Sequence, residues 1–463
     1  MLLNKDLAKR VLDACLSTGA DFAELYVEDK ISNRIEVVNG DVNRVTTSEI
    51  TGIGIRIFKE LKESYGYSND LDEESLLRLA SNLASSFEGA PLGIEYDLQE
   101  VEVKNINPVK ISPLSLTNEE KIEKILPLHK VIKEYSPEIV QVILNLMDET
   151  RLITIYNTNG KIINDERAYV RFMGNAVGAA NGQMQTMHED IAGCSGYEVF
   201  EGKDLEEMGK SIASSCLTML HAPEMVGQEL PVVIHNGFGG VILHEACVHS
   251  LEATSVAKGM SVFCNKMGEK IASDVVTAID DGTIENEWGS INVDDEGHPS
   301  QKNVLIENGV LKSYLFDYRN TRRLAHPTTG SGRRESYKYS PTSRMTNTFI
   351  APGESTMEEI IADTKYGLFA KKMGGGSVNP VTGEFNFAVL EGYMIEDGKI
   401  THPVRGATLV GSGKDTLLKI DRVANNLSFG HGVCGSASGS VYTNVGQPTI
   451  RVSSMTVGGK GTK

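Results

Sequence analysis

The stretch Leu243-His244-Glu245-Ala246-Cys247-Val248-His249-Ser250-Leu251-Glu252 decides how this chain is read. It sets two histidines five apart, with a glutamate directly after the first. A zinc hydrolase needs those side chains: two imidazoles grip the metal, and the carboxylate takes a proton from the metal's water. The common form of the motif is H-E-x-x-H, with the histidines four apart. Each residue of an α-helix advances about 100°, so fourth neighbours sit roughly 40° apart on the cylinder and fifth neighbours roughly 140°. His244 and His249 can share one ion only if the helix carries a π-bulge or breaks between them. The spacing therefore predicts a distorted helix across residues 244–249. The bland alternative is two unrelated histidines on opposite faces of a buried helix.

Just upstream, Pro231–His235 is apolar and β-branched, a short buried strand that enters the glycine-rich run Asn236-Gly237-Phe238-Gly239-Gly240. Downstream the chain is Gly-rich and β-like, with few helical windows. Asp294-Asp295-Glu296 could suggest calcium, but the spacing is not that of an EF-hand, and the cluster reads as solvated turns. Gly411-Ser412-Gly413-Lys414-Asp415 resembles a phosphate loop but fails, because Thr408 and Asp415 stand where a Walker A needs Gly and Ser or Thr. Arg322-Arg323 and Arg333-Arg334 read as surface or salt-bridging residues.

The first half has a different rhythm. Helical spacing recurs over Asn4–Leu16, Asp72–Phe87, Asn118–Glu134 and Asp204–Leu220. Between these lie alternating stretches at 21–28, 31–38, 52–58, 139–147, 151–156, 161–164 and 169–180, with a hairpin signal at Asn39-Gly40. Helix-then-strands occurs twice without residue-level repetition. The predicted fold class is α+β: an N-terminal α/β domain with antiparallel sheet over 1–222, then a β-rich C-terminal domain over 223–463 that carries the distorted zinc-binding helix. The first domain divides into subdomains at about 1–100 and 101–222. No metal spacing, phosphate loop or nucleophile context occurs in residues 1–220, whose expected roles are folding, subunit contact or the walls of a cleft.

Composition narrows the function. With 45 Lys+Arg against 62 Asp+Glu, the formal charge is −17, which disfavours a nucleic-acid partner. No window approaches eighteen apolar residues and the N-terminus lacks an apolar signal core, so a cytoplasmic protein with no membrane partner is expected. The six cysteines form no C-x-x-C pair and suggest no disulfide framework.

A catalytic zinc takes three protein ligands and keeps a fourth position for water. Glu252, Cys434 in the Gly-flanked His431-Gly432-Val433-Cys434-Gly435-Ser436, and His431 itself are all candidates for the third, since carboxylate, thiolate and imidazole each suit zinc. At this point the chain resembles a family, the metal-binding members of the TldD/PmbA (modulator of DNA gyrase) proteins. The resemblance runs nearly end to end. It is carried by His244-Glu245-Ala246 with His249 and Leu251-Glu252, Asp294-Asp295-Glu296-Gly297, Leu305-Ile306-Glu307-Asn308-Gly309 and Thr329-Gly330-Ser331-Gly332-Arg333-Arg334. Met345-Thr346-Asn347-Thr348, Gly383-Glu384-Phe385-Asn386-Phe387, Cys434-Gly435, Gly446-Gln447-Pro448 and Val457-Gly458-Gly459 continue it.

The resemblance implies a peptidase holding one Zn²⁺ per subunit through His244, His249 and Cys434, with Glu245 as general base. It also implies a homodimer, or a heterodimer with a paralogous subunit, in which an extended peptide substrate pairs with a sheet edge. Glu252 is assigned to hydrogen-bonding a ligand histidine. The alternative is a noncatalytic peptide-binding subunit of a heterodimeric peptidase, but such partners lack the histidine-glutamate stretch. One departure stands out: Val248 occupies a position that is usually Gly in the family, and a stiff β-branched residue there bears on the shape of the turn.

Overall fold

The computed structural model describes residues 3–379 and 382–460. Helix α1 (Lys5–Cys15) starts where the Asn4 side chain accepts from the Asp6 N–H, and it buries Ala8, Val11, Leu12 and Cys15. The long strands β1 (Phe22–Val38) and β2 (Asp41–Lys59) are joined by Asn39 and Gly40, both at positive φ as the tight hairpin requires. β3 (Lys62–Ser68), α2 (Glu73–Ala84), β4 (Gln99–Val101) and α3 (Asn118–Glu134) follow, the last opened by a Thr117/Glu120 capping box. Then come β5 (Ile139–Asn157), β6 (Lys161–Ala180), β7 (Gln183–Gly193) and α4 (Leu205–His221).

The pairs of strands expected at 21–28 and 31–38, at 139–147 and 151–156, and at 161–164 and 169–180 are in each case one continuous strand. Charged stretches such as Asp29-Lys30 interrupt the apolar alternation. The backbone stays extended because β1 is paired on both sides, by β2 and by β5. The sheet order is β3-β2-β1-β5-β6-β4, with β7 on β6, so both halves of residues 1–222 contribute to one sheet. α1 and α2 cover one part of it around Leu12, Leu25, Ile55 and Leu76. Ile125 of α3 and Ile212 of α4 meet Leu144 and Phe172 over another.

The second half begins with β8 (Gln228–Ile234) and α5 (Val241–Ala246). Next come β9 (Ala278–Asp281), β10 (Lys302–Glu307), β11 (Val310–Leu311), β12 (Gly332–Arg333), β13 (Thr342–Ser343) and β14 (Asn347–Ile350). They are followed by β15 (Tyr366–Val378), β16 (Glu384–Glu396), β17 (Lys399–Val404) and β18 (Thr408–Ser412). The chain closes with β19 (Ile420–Val423), β20 (Ser428–Ser436), β21 (Gly439–Gln447) and β22 (Ile450–Gly458). One sheet runs β11-β10-β9-β14-β21-β20 and another β15-β8-β22-β18-β16-β17, with β19 on β22. Val241, Ile242 and Leu243 of α5 are buried in the large core that these sheets share, with Leu305, Phe385 and Val445. The architecture is mixed α+β with a β-rich C-terminal region, as the sequence predicts.

The acidic turn is a correction. Asp294, Asp295 and Glu296 are buried, not solvated. Asp295 pairs with Arg167 at 2.8 Å and Glu296 with Arg56 at 2.7 Å, while Arg334 reaches Glu24 at 2.6 Å. Arg333 and Arg334 are likewise buried and not on the surface. These charges bolt the N-terminal sheet onto the C-terminal half. Their partners lie more than a hundred residues away, so local sequence could not distinguish them from a wet turn.

Candidate metal centre

β8 delivers the chain to Gly237, whose φ of 81° makes the turn into α5. The helix runs only from Val241 to Ala246. Cys247 then departs from helical geometry at φ −129°, ψ −60°, and the chain resumes as a 3₁₀ turn over Val248–Leu251. The distortion predicted from the five-residue spacing is thus a break, not a π-bulge. It falls on Cys247. Val248 lies in the right-handed 3₁₀ turn with its side chain buried, so the turn makes no demand for glycine there. Glycines clamp both ends of α5: a Cβ on Gly240 would stand 2.5 Å from the Gly446 backbone, and one on Gly413 1.9 Å from the Ala246 carbonyl oxygen.

Because of the break, the two imidazoles face each other with ring centroids 4.9 Å apart at 87°. Cys434 enters from β20, and its Sγ lies 3.3 Å from Nε2 of His244 and 3.3 Å from Nε2 of His249. The three donor atoms all fall within 4.8 Å of one another. Bonds of about 2.3 Å to sulfur and 2.0–2.1 Å to nitrogen put S···N at about 3.5 Å across a tetrahedral zinc, so the donor set fits that ion. Burial pushes the Cys434 thiol up, but the His244 and His249 imidazoles beside it bring its pKa down to about 4, the thiolate a metal requires.

His249 is oriented from behind by Glu252, whose Oε1 is 3.2 Å from Nδ1. Burial disfavours the charged imidazole, yet Glu252 and Cys434 hold its pKa well above the usual histidine value. Arg344, fully buried, donates to the Cys434 carbonyl, to Ser438 Oγ and to the Gly439 carbonyl, and its Nε stands 4.0 Å from Glu252. One guanidinium thus holds the cysteine strand by hydrogen bonds and stands at the outer limit of ion-pair distance from the carboxylate behind His249. Sequence reading missed it, since an isolated Arg in Ser343-Arg344-Met345 carries no motif.

Glu245 takes no place among the donors. Its side chain is one-third exposed, with Oε2 3.7 Å from Nε2 of His249. It faces a cleft of about 760 Å³ that His244 also lines. One wall is β20 from Ser428 to Val433, the other β15 from Lys371 to Gly375. The N-terminal half adds Arg171, His188, Glu189 and Asp190, so residues 1–220 do form a cleft wall. Asp190 is paired with Arg171 at 2.7 Å and with Nδ1 of His431 at 3.1 Å. His431 therefore belongs to the cleft wall with Asp190 and is not grouped with the three donors.

Asp294, Glu296 and His298 also converge within 4.8 Å. Every carboxylate oxygen there is already engaged: Glu296 by Arg56 and the Tyr318 N–H, Asp294 by the N–H groups of Glu296, His298 and Gly332. That cluster is part of the bolt between the two halves of the chain.

A mixed α+β chain that closes two imidazoles and a thiolate around one point, with a spare carboxylate beside them, has the make-up of a metallohydrolase. Comparison with known proteins narrows the class. The three domains of the PmbA/TldA metallopeptidases match residues 23–86 (domain 1), 111–220 (central domain) and 226–459 (C-terminal domain). The chain belongs to this family. It is 35% identical to the metalloprotease TldD homolog of Haemophilus influenzae, over 97% of this chain and 95% of that one. It is 32% identical to the metalloprotease TldD homolog of Buchnera aphidicola, with the same coverage. A relative from Saccharolobus solfataricus, 25% identical over 95% of this chain and 97% of its own, is named a zinc metalloprotease TldD homolog. The fold is also that of a putative modulator of DNA gyrase from Thermotoga maritima, with a TM-score of 0.81 at 21% identity, covering 98% and 99% of the two chains.

Proposed function

We propose that this chain is a zinc-dependent peptidase that hydrolyses extended or unfolded peptides, with His244, His249 and Cys434 as metal ligands and Glu245 as general base. The observation that carries this is the meeting of the three donors with Glu245 at the edge of a cleft. Zinc in such a site supplies Lewis acidity, acidifying water and polarising a carbonyl. Glu245, exposed to the cleft, accepts the proton of the attacking water and passes it to the departing amine. Glu252 fixes the ring of His249, and Arg344 fixes the strand that bears Cys434.

The cleft suits a chain segment more than a compact ligand. β20 is the outer strand of its sheet, and β15 is paired with β8 only as far as Ala370. An extended peptide can add to either as a further strand, which reads backbone and tolerates varied side chains. The test is Glu245→Gln in protein of measured zinc content. Metal should stay at about one per chain, from the three-ligand count, while cleavage of an unstructured peptide library, followed by mass spectrometry, disappears. Cleavage that persists would remove Glu245 from the mechanism. A binding-only subunit would hold peptide and show no turnover even before substitution.

The reading extends to a dimer with a second copy or a paralogue. The outer half of the β1–β2 hairpin, from Asp41 to Glu49, is exposed and carries the apolar Val42 and Val45. Light scattering on the purified chain should give twice the monomer mass, or do so only once a paralogue is added. A monomer in both cases would refute this.

A further inference from the structure

A second space adjoins the cleft. A cavity of about 700 Å³ lies between β1, β2, β5 and β6 on one side and β20 and β21 on the other, and Arg171 and Val433 line both spaces. Its walls carry eight cationic side chains against four acidic ones, in a chain whose net charge is −17. Much of that cationic excess has no internal partner. Arg333 is 3% exposed, donates from Nη1 only to the Met345 and Tyr442 carbonyls, and leaves Nε without an acceptor. Among the described residues no carboxylate stands within ion-pair distance of it. Arg34 and Arg44, exposed at the cavity's other wall, are also outside any ion pair of the described residues. A buried guanidinium is costly to hold without a counter-charge, and a cavity with low-dielectric walls focuses its field on whatever enters.

We propose that this cavity is a subsite for carboxylates of the substrate peptide, so that the protein prefers peptides presenting an acidic group near the cleaved bond. The inference rests on the peptidase reading above, because the ligand arrives by way of the shared Arg171–Val433 border. The carboxylate has two sources, an Asp or Glu side chain and the peptide's own C-terminus. A polyphosphate backbone suits the cavity less well. Glu36, Glu149 and Glu335 interrupt its cationic wall, which an isolated carboxylate can avoid and a run of phosphates cannot.

The experiment uses the zinc-loaded Glu245→Gln protein and one fluorescent, unstructured peptide in four forms. These carry Asp/Glu or Asn/Gln side chains, each with a free or an amidated C-terminus, and binding is followed by anisotropy. Acidic forms should bind about tenfold more tightly than the neutral amide, as a charge-assisted hydrogen bond implies, and added salt should erode the advantage. The arm that carries the preference identifies the source. The ratio should fall toward unity in Arg34→Gln, which lies outside the Asp41–Glu49 segment, and also in Arg333→Met if that buried variant folds. Equal affinity for all forms would overturn the subsite, as would tighter binding of a single-stranded oligonucleotide. Cleavage by the native protein separates the two readings. Turnover without acid preference leaves the peptidase and removes the subsite; acid preference without turnover of any form does the reverse.

Discussion

Glu252 shows how far a single side chain can act without touching the reacting atoms. It sits 3.2 Å behind His249 and is buried, and the same oxygen, Oε1, stands 4.0 Å from Nε of Arg344. A carboxylate in that position fixes both the tautomer and the direction of the ring. Glu252→Gln should therefore weaken zinc binding by about 10–100-fold, measured by competition with a chelator, with little change in the circular dichroism of the fold. Unchanged affinity would reduce Glu252 to a packing residue. At this scale the sequence was a good guide to residue types and a poor one to partners. His244, His249 and Glu245 announce themselves within six residues. Chemistry alone leaves the third donor open among Glu252, Cys434 and His431, and only the resemblance points to Cys434. The geometry now groups Cys434 with the histidines, puts Glu252 behind one of them, and turns His431 toward Asp190.

The short helix α5 has no room to adjust. Gly240 and Gly413 let backbone from β21 and from the segment after β18 approach both of its ends. Gly413→Ala puts a methyl 1.9 Å from the Ala246 oxygen, so one segment must move. Overpacking of this kind costs about 1–3 kcal/mol, and the end of the helix that bears Glu245 is the part displaced. The expected result is a lower melting temperature together with a lower zinc content per chain. A variant with native melting and full zinc would show that the clamp is slack. Elements of this size were the most legible part of the fold. The helices at 118–134 and 205–221 lie where apolar spacing puts them. The long strands break into fragments in any local reading, because their polar interruptions are compensated by neighbours on both sides that no local window contains.

Across the whole molecule, the buried charges between the two halves tie stability to pH. Burial lowers the pKa of His298, but Asp294 at 3.5 Å more than restores it, to about 9. Burial lifts Glu296 to about 7 against the pull of Arg56, with Asp294 and Asp317 adding to the rise. Both folded-state values exceed the ordinary 6.5 and 4.5, so at these two groups the folded state binds more protons than the unfolded one. The His298 contribution is complete below about pH 6.5 and is lost as pH rises through about 9. His298→Gln should accordingly lower the melting temperature clearly at pH 6 and hardly at all above pH 9. A gap that widens with pH would reverse the assignment. The arrangement of the metal centre also has a consequence in time. Two donors lie at 244 and 249, the third at 434, and the final strand β22 slots between β8 and β18 in the interior of its sheet. The three donors therefore cannot meet until the chain has been made through β20, some way beyond the helix that bears the two histidines. A site split in this way is a late product of folding, since its sulfur has to wait for strands that pair long after the imidazoles are in place.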